Sequence, residues 1–172
     1  RSGELDVDGP LTLPTAGLDG DGSVLVGSPW MIPSDGWLRV GTGIVVGGLD
    51  VDGLLTLTAG ADAELGAVTF DPDASLFFEV TASGLTSQRV VLHGPDGEVD
   101  LAGITLYVNI DGDLPAGTDA VIAETPGTFV GTPGKIVVES ADDDATVAIV
   151  GGEIRVRRFA DCVPGLALDG MS

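Results

Sequence analysis

A nine-residue string recurs in this chain and constrains its fold more than any other feature. Leu5-Asp6-Val7-Asp8-Gly9-Pro10-Leu11-Thr12-Leu13 returns as Leu49-Asp50-Val51-Asp52-Gly53-Leu54-Leu55-Thr56-Leu57, an offset of 49 − 5 = 44 with eight of nine positions identical. A looser third copy, Val99-Asp100-Leu101-Ala102-Gly103-Ile104-Thr105-Leu106, arrives 103 − 53 = 50 residues later, counted glycine to glycine. A period of two sends Leu5 and Val7 to one face and Asp6 and Asp8 to the other. Gly9 and Gly53 fall where a strand must bend sharply with no Cβ in the way. Further strand-and-glycine units lie between the first two copies, at Gly22 to Gly27 and Gly36 to Gly41. The offset therefore reads as two turns of about 22 residues each, the size expected of a β-solenoid.

The rest of the chain is built the same way. Short runs rich in Val, Leu, Ile and Thr, such as WLRVG from Trp37, SLFFEV from Ser75, ITLYVNI from Ile104 and EIRVRRF from Glu153, alternate with Gly, Asp and Pro clusters. No window combines a 3.6-residue period with freedom from Gly and Pro, so the fold class is all-β. From about residue 91 the turns change character. Gly94-Pro95-Asp96-Gly97, Thr125-Pro126-Gly127, Thr132-Pro133-Gly134 and Gly151-Gly152 are hairpin signals that favour antiparallel pairing. The expected organisation is a solenoid of right-handed parallel β-helix type over residues 1–90, with a hairpin-rich segment over 91–172 that continues or caps it. A β-sandwich or jelly roll fits the strand spacing equally and stands as the alternative.

Charge narrows the partners. With 7 Lys+Arg against 27 Asp+Glu the formal net charge is −20, which repels phosphate backbones and anionic lipid. Nucleic acid and direct membrane insertion are not expected, and no apolar stretch reaches the length of a membrane-spanning helix. Cys162 is the single cysteine, so an internal disulfide and a cysteine-based metal site are excluded. The chain begins at Arg1 without a methionine or an apolar leader, as expected of a processed form or an excised piece.

The order of elements resembles that of a known family. "LDVDG.LTL", "GDGSV", "GGLDVDGLLTLTAGA", "PDASLFFEV", "GEVDLAGITLYV" and "LPAGTDAVIAETPGTFVG" follow one another as in the C-terminal passenger region of bacterial autotransporter-like surface β-helix proteins, over residues 3–134. The resemblance implies an extracellular or cell-surface location and a structural or adhesive role without catalysis, as an adhesin, a self-assembling fibre or a surface-layer subunit. Its partners would be further copies of itself, a surface polysaccharide or a host receptor. Two alternatives stand beside it: a carbohydrate-binding or polysaccharide-cleaving module, and a viral fibre or capsid-decoration protein.

Individual residues supply few candidates for chemistry. The outward aspartates Asp6, Asp8, Asp50 and Asp52 read first as a solvated acidic face, since a catalytic site is built once and this motif repeats. Asn109, Asp111 and Asp113 resemble the front of a calcium loop, although Leu114 stands where such a loop needs glycine, so weak calcium binding is the only cofactor expectation. His93 is the single histidine and has no Gly-x-Ser-x-Gly elbow beside it, so no catalytic residue is assigned. Trp30 and Trp37, if exposed together, would stack on sugar rings; buried, they would close a turn. Arg155, Arg157 and Arg158 hold three of the seven basic residues. They either neutralise the Asp142-Asp143-Asp144 loop or meet the acidic body of the next subunit in a head-to-tail fibre.

Overall fold

The computed structural model describes residues 2–7, 18–26, 30–41, 43–58, 62–85 and 89–159. Asp8 to Leu13 of the first copy, Gly27 and Cys162 lie outside them. The strands are β1 (Ser2–Val7), β2 (Leu18–Val26), β3 (Trp30–Ile32), β4 (Trp37–Val40), β5 (Gly43–Val46), β6 (Leu49–Val51), β7 (Leu54–Thr58), β8 (Asp62–Phe70) and β9 (Ser75–Thr81). There follow β10 (Arg89–His93), β11 (Glu98–Asp100), β12 (Thr105–Asp111), β13 (Asp119–Glu124), β14 (Thr128–Val130), β15 (Lys135–Glu139), β16 (Ala145–Val150) and β17 (Glu153–Arg158). One 3-10 turn, Ala82–Gly84, is the only helical element among the described residues. The protein is all-β, as its sequence predicts.

Pairing is parallel almost throughout. The first column stacks β2, β4, β7, β9, β12 and β15 side by side in parallel. The second stacks β1, β2, β5, β8, β10 and β13. The third pairs β3 with β6 and β6 with the end of β8, and separately β11 with β14. The chain visits the columns in rotation. Parallel strands cannot be joined by a tight hairpin, so each return needs a full crossover, and here the other columns supply it. This register is not that of an antiparallel sandwich or jelly roll.

In the first column the register runs Leu38, Leu55, Leu76, Leu106, and two residues on Val40, Leu57, Phe78, Val108. All eight are buried, and they join inward residues of the other columns, such as Trp30, Leu49, Leu65, Leu92 and Ile122, in one core. Each fully buried leucine contributes about 1.5–3 kcal/mol relative to exposure.

The corners set the path. Gly53 sits so close to the preceding corner that a Cβ would run into the carbonyl oxygens of Pro33 and Gly36. Gly103 turns the equivalent corner before β12 with φ +79, the left-handed region in which a side chain is strained. Pass length, by contrast, is not constant. Trp37 pairs with Leu54, Leu54 with Ser75, Ser75 with Thr105 and Thr105 with Lys135, steps of 17, 21, 30 and 30 residues.

Two local readings change. Leu5 lies on β1 in the second column and Leu49 on β6 in the third, so the first two copies of the string do not stack. Apolar-acidic alternation suits any column, which is why identity of sequence does not enforce identity of place. Of the four hairpin signals, only Gly151-Gly152 joins an antiparallel pair, β16 with β17. Residues 94–97, 125–127 and 132–134 instead turn corners between parallel passes.

Candidate functional site

Among the described residues, charged interactions gather around β13 and the β16–β17 hairpin. There β17 closes the second column by pairing antiparallel with β13, and β16 pairs beyond it. Ile154 and Val156 point inward and are fully buried, which sends Arg155 and Arg157 outward and puts Arg158 on the inward side at the strand's end.

Arg158 reaches the two loops that follow β12 and β15. Its Nη1 lies 2.7 Å from Asp142 Oδ1, its Nε lies 3.1 Å from Asp144 Oδ1, and it also donates to the Leu114 carbonyl. Asp142 Oδ2 accepts from the Leu114 N–H at 2.7 Å, so one guanidinium and one carboxylate hold both loops together. On the outer face Arg155 is paired with Asp119 at 2.9 Å and Glu153 at 2.7 Å, and Arg157 with Asp119 at 3.3 Å. The hydrogen bond from Arg155, supported by Arg157, holds the Asp119 carboxyl below the usual aspartate range. All three arginines have acidic partners within the chain: Arg158 joins Asp142 and Asp144 of the loop named in the sequence reading, whereas Arg155 and Arg157 pair with Asp119 and Glu153 instead.

The tryptophans separate. Trp30 is fully buried on β3, with its indole N–H unpartnered among the described residues, and has no face to offer a sugar. Trp37 is half-buried on β4, in register with Leu54. A different aromatic pair stands on the outer face of the first column: Phe77 on β9 and Tyr107 on β12 are direct register partners and stack at 5.9 Å between ring centroids. Their positions in "SLFFEV" and "ITLYVNI" are the outward ones of each alternation. Only the unknown register between the two strands hid the pair.

Asn109 and Asp111 lie on one face of β12, opposite Glu79 and Thr81 of β9, and Asp113 is exposed in the following loop. No group of three His, Cys, Asp or Glu side chains placed to hold a metal ion occurs among the described residues. Asp50, Asp52, Asp71, Thr69 and Met31 line a shallow groove of about 230 Å³ on the outer side of the third column, where Thr69 donates to Asp50. His93 lies 3.0 Å from Glu64 on the neighbouring strand, an exposed pair. Around the first column, Arg39 is joined to Glu79 at 2.5 Å.

These features add up to ion pairs that fasten loops, an aromatic stack and an acidic groove. Compared with protein-family models, with curated proteins and with solved structures, the chain matches none.

Proposed function

We propose that this chain is a β-solenoid with a structural role at the cell surface or outside the cell, without enzymatic activity, that associates with further copies of itself. The observation that carries the reading is the rotation of the chain through three columns of parallel strands, with one apolar core inside and the acidic residues turned out. Such an architecture grows by adding passes and spreads its surface over many equivalent rungs, which suits a spacer or scaffold better than a pocket enzyme. In this reading the described strands up to β10 belong to the coil expected over residues 1–90, and those after it carry it on to the β16–β17 hairpin, which pairs onto the second column. A net charge of −20 keeps such a surface apart from nucleic acid and anionic lipid.

A second reading has one observation in its favour. The stacked Phe77 and Tyr107, with Asn109, Thr105 and Ser75 in adjoining register rows, form a flat aromatic platform with polar neighbours, the chemistry that binds sugar rings. Incubation with neutral and anionic polysaccharides, with and without calcium, separates the two. The structural reading predicts no shortening of any polymer; cleavage of one contradicts it, and binding lost in Tyr107→Ala supports the carbohydrate module instead.

A further inference from the structure

We infer that the free edge of β15 is the docking surface for a second copy of this chain, paired antiparallel about a two-fold axis through Val137. β15 is the last strand of the first column: it pairs with β12 on one side and with no described strand on the other. The Lys135 N–H donates to Ile104 O at 3.3 Å, so Lys135, Val137 and Glu139 turn their backbone groups to β12. By alternation Ile136 and Val138 turn theirs to the open side. Ile136 also continues the inward row of Leu55, Leu76 and Leu106, each 0% exposed, yet it is itself 45% exposed. The core is thus uncovered where the edge is unpaired, the condition in which an edge strand recruits another.

The sequence of β15 fits a second copy of itself. In Lys135-Ile136-Val137-Val138-Glu139, rotation about Val137 sets Lys135 opposite Glu139 of the second copy and Ile136 opposite Val138. Ile136 and Val138, whose backbone groups face the open side, then exchange backbone hydrogen bonds across the junction, while Lys135 and Glu139 meet on the outer face as opposite charges. A shift of one residue would set Ile136 opposite Val137 of the second copy, whose backbone groups already face β12, and would break the charge match. The end of the molecule is stepped to suit: β16 carries the second column past β15, and β14 ends the third column one pass short of it. Two-fold rotation brings the high side of one copy over the low side of the other, a part of the argument that rests on the proposed coil. The contact is isologous and closes as a dimer, and differs from the head-to-tail arginine contact considered above.

Sedimentation velocity on the full chain at about 150 mM salt tests it, over a range of protein concentrations. The wild type is expected to dimerise, and Lys135→Glu and Glu139→Lys each to weaken the dimer by about tenfold or more. An equimolar mixture of the two single variants and the double exchange Lys135→Glu with Glu139→Lys both restore it, because each again sets opposite charges face to face. Val138→Pro, whose lost N–H faces the open side, abolishes the dimer while leaving the circular dichroism spectrum unchanged. A wild type monomeric at all concentrations, or association indifferent to all these variants, overturns the inference. So does a monomer whose Ile136 and Val138 amides resist exchange, which would assign the edge to residues 160–172 of the same chain. A disulfide placed between Ser75 and Thr105 reports on the coil separately, so loss of the dimer and loss of the coil are told apart.

Discussion

The stack from β4 to β9 and the end of the molecule from β12 to β17 are made of the same strands and held by different means. In the first, passes of 17 and 21 residues leave room for little besides strands and corners, and the corners approach one another so closely that Gly53 admits no side chain. In the second, the 30-residue pass from β12 to β15 carries the loop at 112–118, and Arg158 and Asp142 fasten that loop to the one that follows β15. Non-directional burial suffices where each layer has a layer on both sides. Beyond β15 and β16 no further described layer stacks, and there directional contacts, an antiparallel hairpin and ion pairs hold the chain.

If close corners dominate the first region, Gly53→Val is the most damaging single change available there. It is expected to cost about 4 kcal/mol or more, read as a collapse of the thermal midpoint, because backbone oxygens rather than yielding side chains meet the new atoms. The same inward row tests the contrast between a layer with two neighbours and one with a single neighbour. Leu106→Ala, fully buried, is expected to cost about 2–5 kcal/mol in denaturant unfolding. Ile136→Ala, 45% exposed one layer further on, is expected to cost about 1 kcal/mol in the monomer.

Arg158→Ala removes hydrogen bonds to two carboxylates and a carbonyl at a site where its side chain is 21% and that of Asp142 11% exposed. The expected loss is about 1.5–3 kcal/mol, with faster amide exchange confined to the loops at 112–118 and 140–144. The smallest effect concerns acid. A carboxyl held below its usual range contributes stability that is present above the ordinary aspartate value and is lost as pH falls through the lowered one. Asp119 is such a group, so part of the acid-side fall in stability of the wild type lies below the ordinary aspartate range. Arg155→Ala shifts the Asp119 titration, followed by its carboxyl carbon resonance, back toward that range, and leaves stability near neutral pH almost unchanged.

Strand identity and inward faces were legible in the sequence because alternation is local. Leu38 and Val40, Leu55 and Leu57, and Leu106 and Val108 are readable as pairs before any contact is known. The direction of the return was not. Gly-Pro-Asp-Gly at residues 94–97 bends a chain sharply in either case, and whether the next strand runs beside the last one or two columns away is decided by distant partners. The pairing of Arg158 with Asp142 and Asp144 was foreseeable as a local charge balance between neighbouring elements. The Phe77–Tyr107 stack needed the register of two strands 30 residues apart, and Trp30 needed the position of the core, so neither surface nor interior aromatics could be assigned from spacing alone.

The claim that organises the rest is that successive passes lie side by side in parallel, in the stated register. With Cys162 replaced by serine, Ser75→Cys together with Thr105→Cys tests it, since these residues are direct neighbours on β9 and β12 and a parallel pair brings such Cα atoms within disulfide reach. Mild oxidation is predicted to give an intramolecular disulfide in the folded protein, seen as faster migration without reductant, and none between cysteines at Ser75 and Asp111. A bridge between positions 75 and 111 and none between 75 and 105 would mean an antiparallel pair, and would contradict the parallel stacking on which the proposed coil rests.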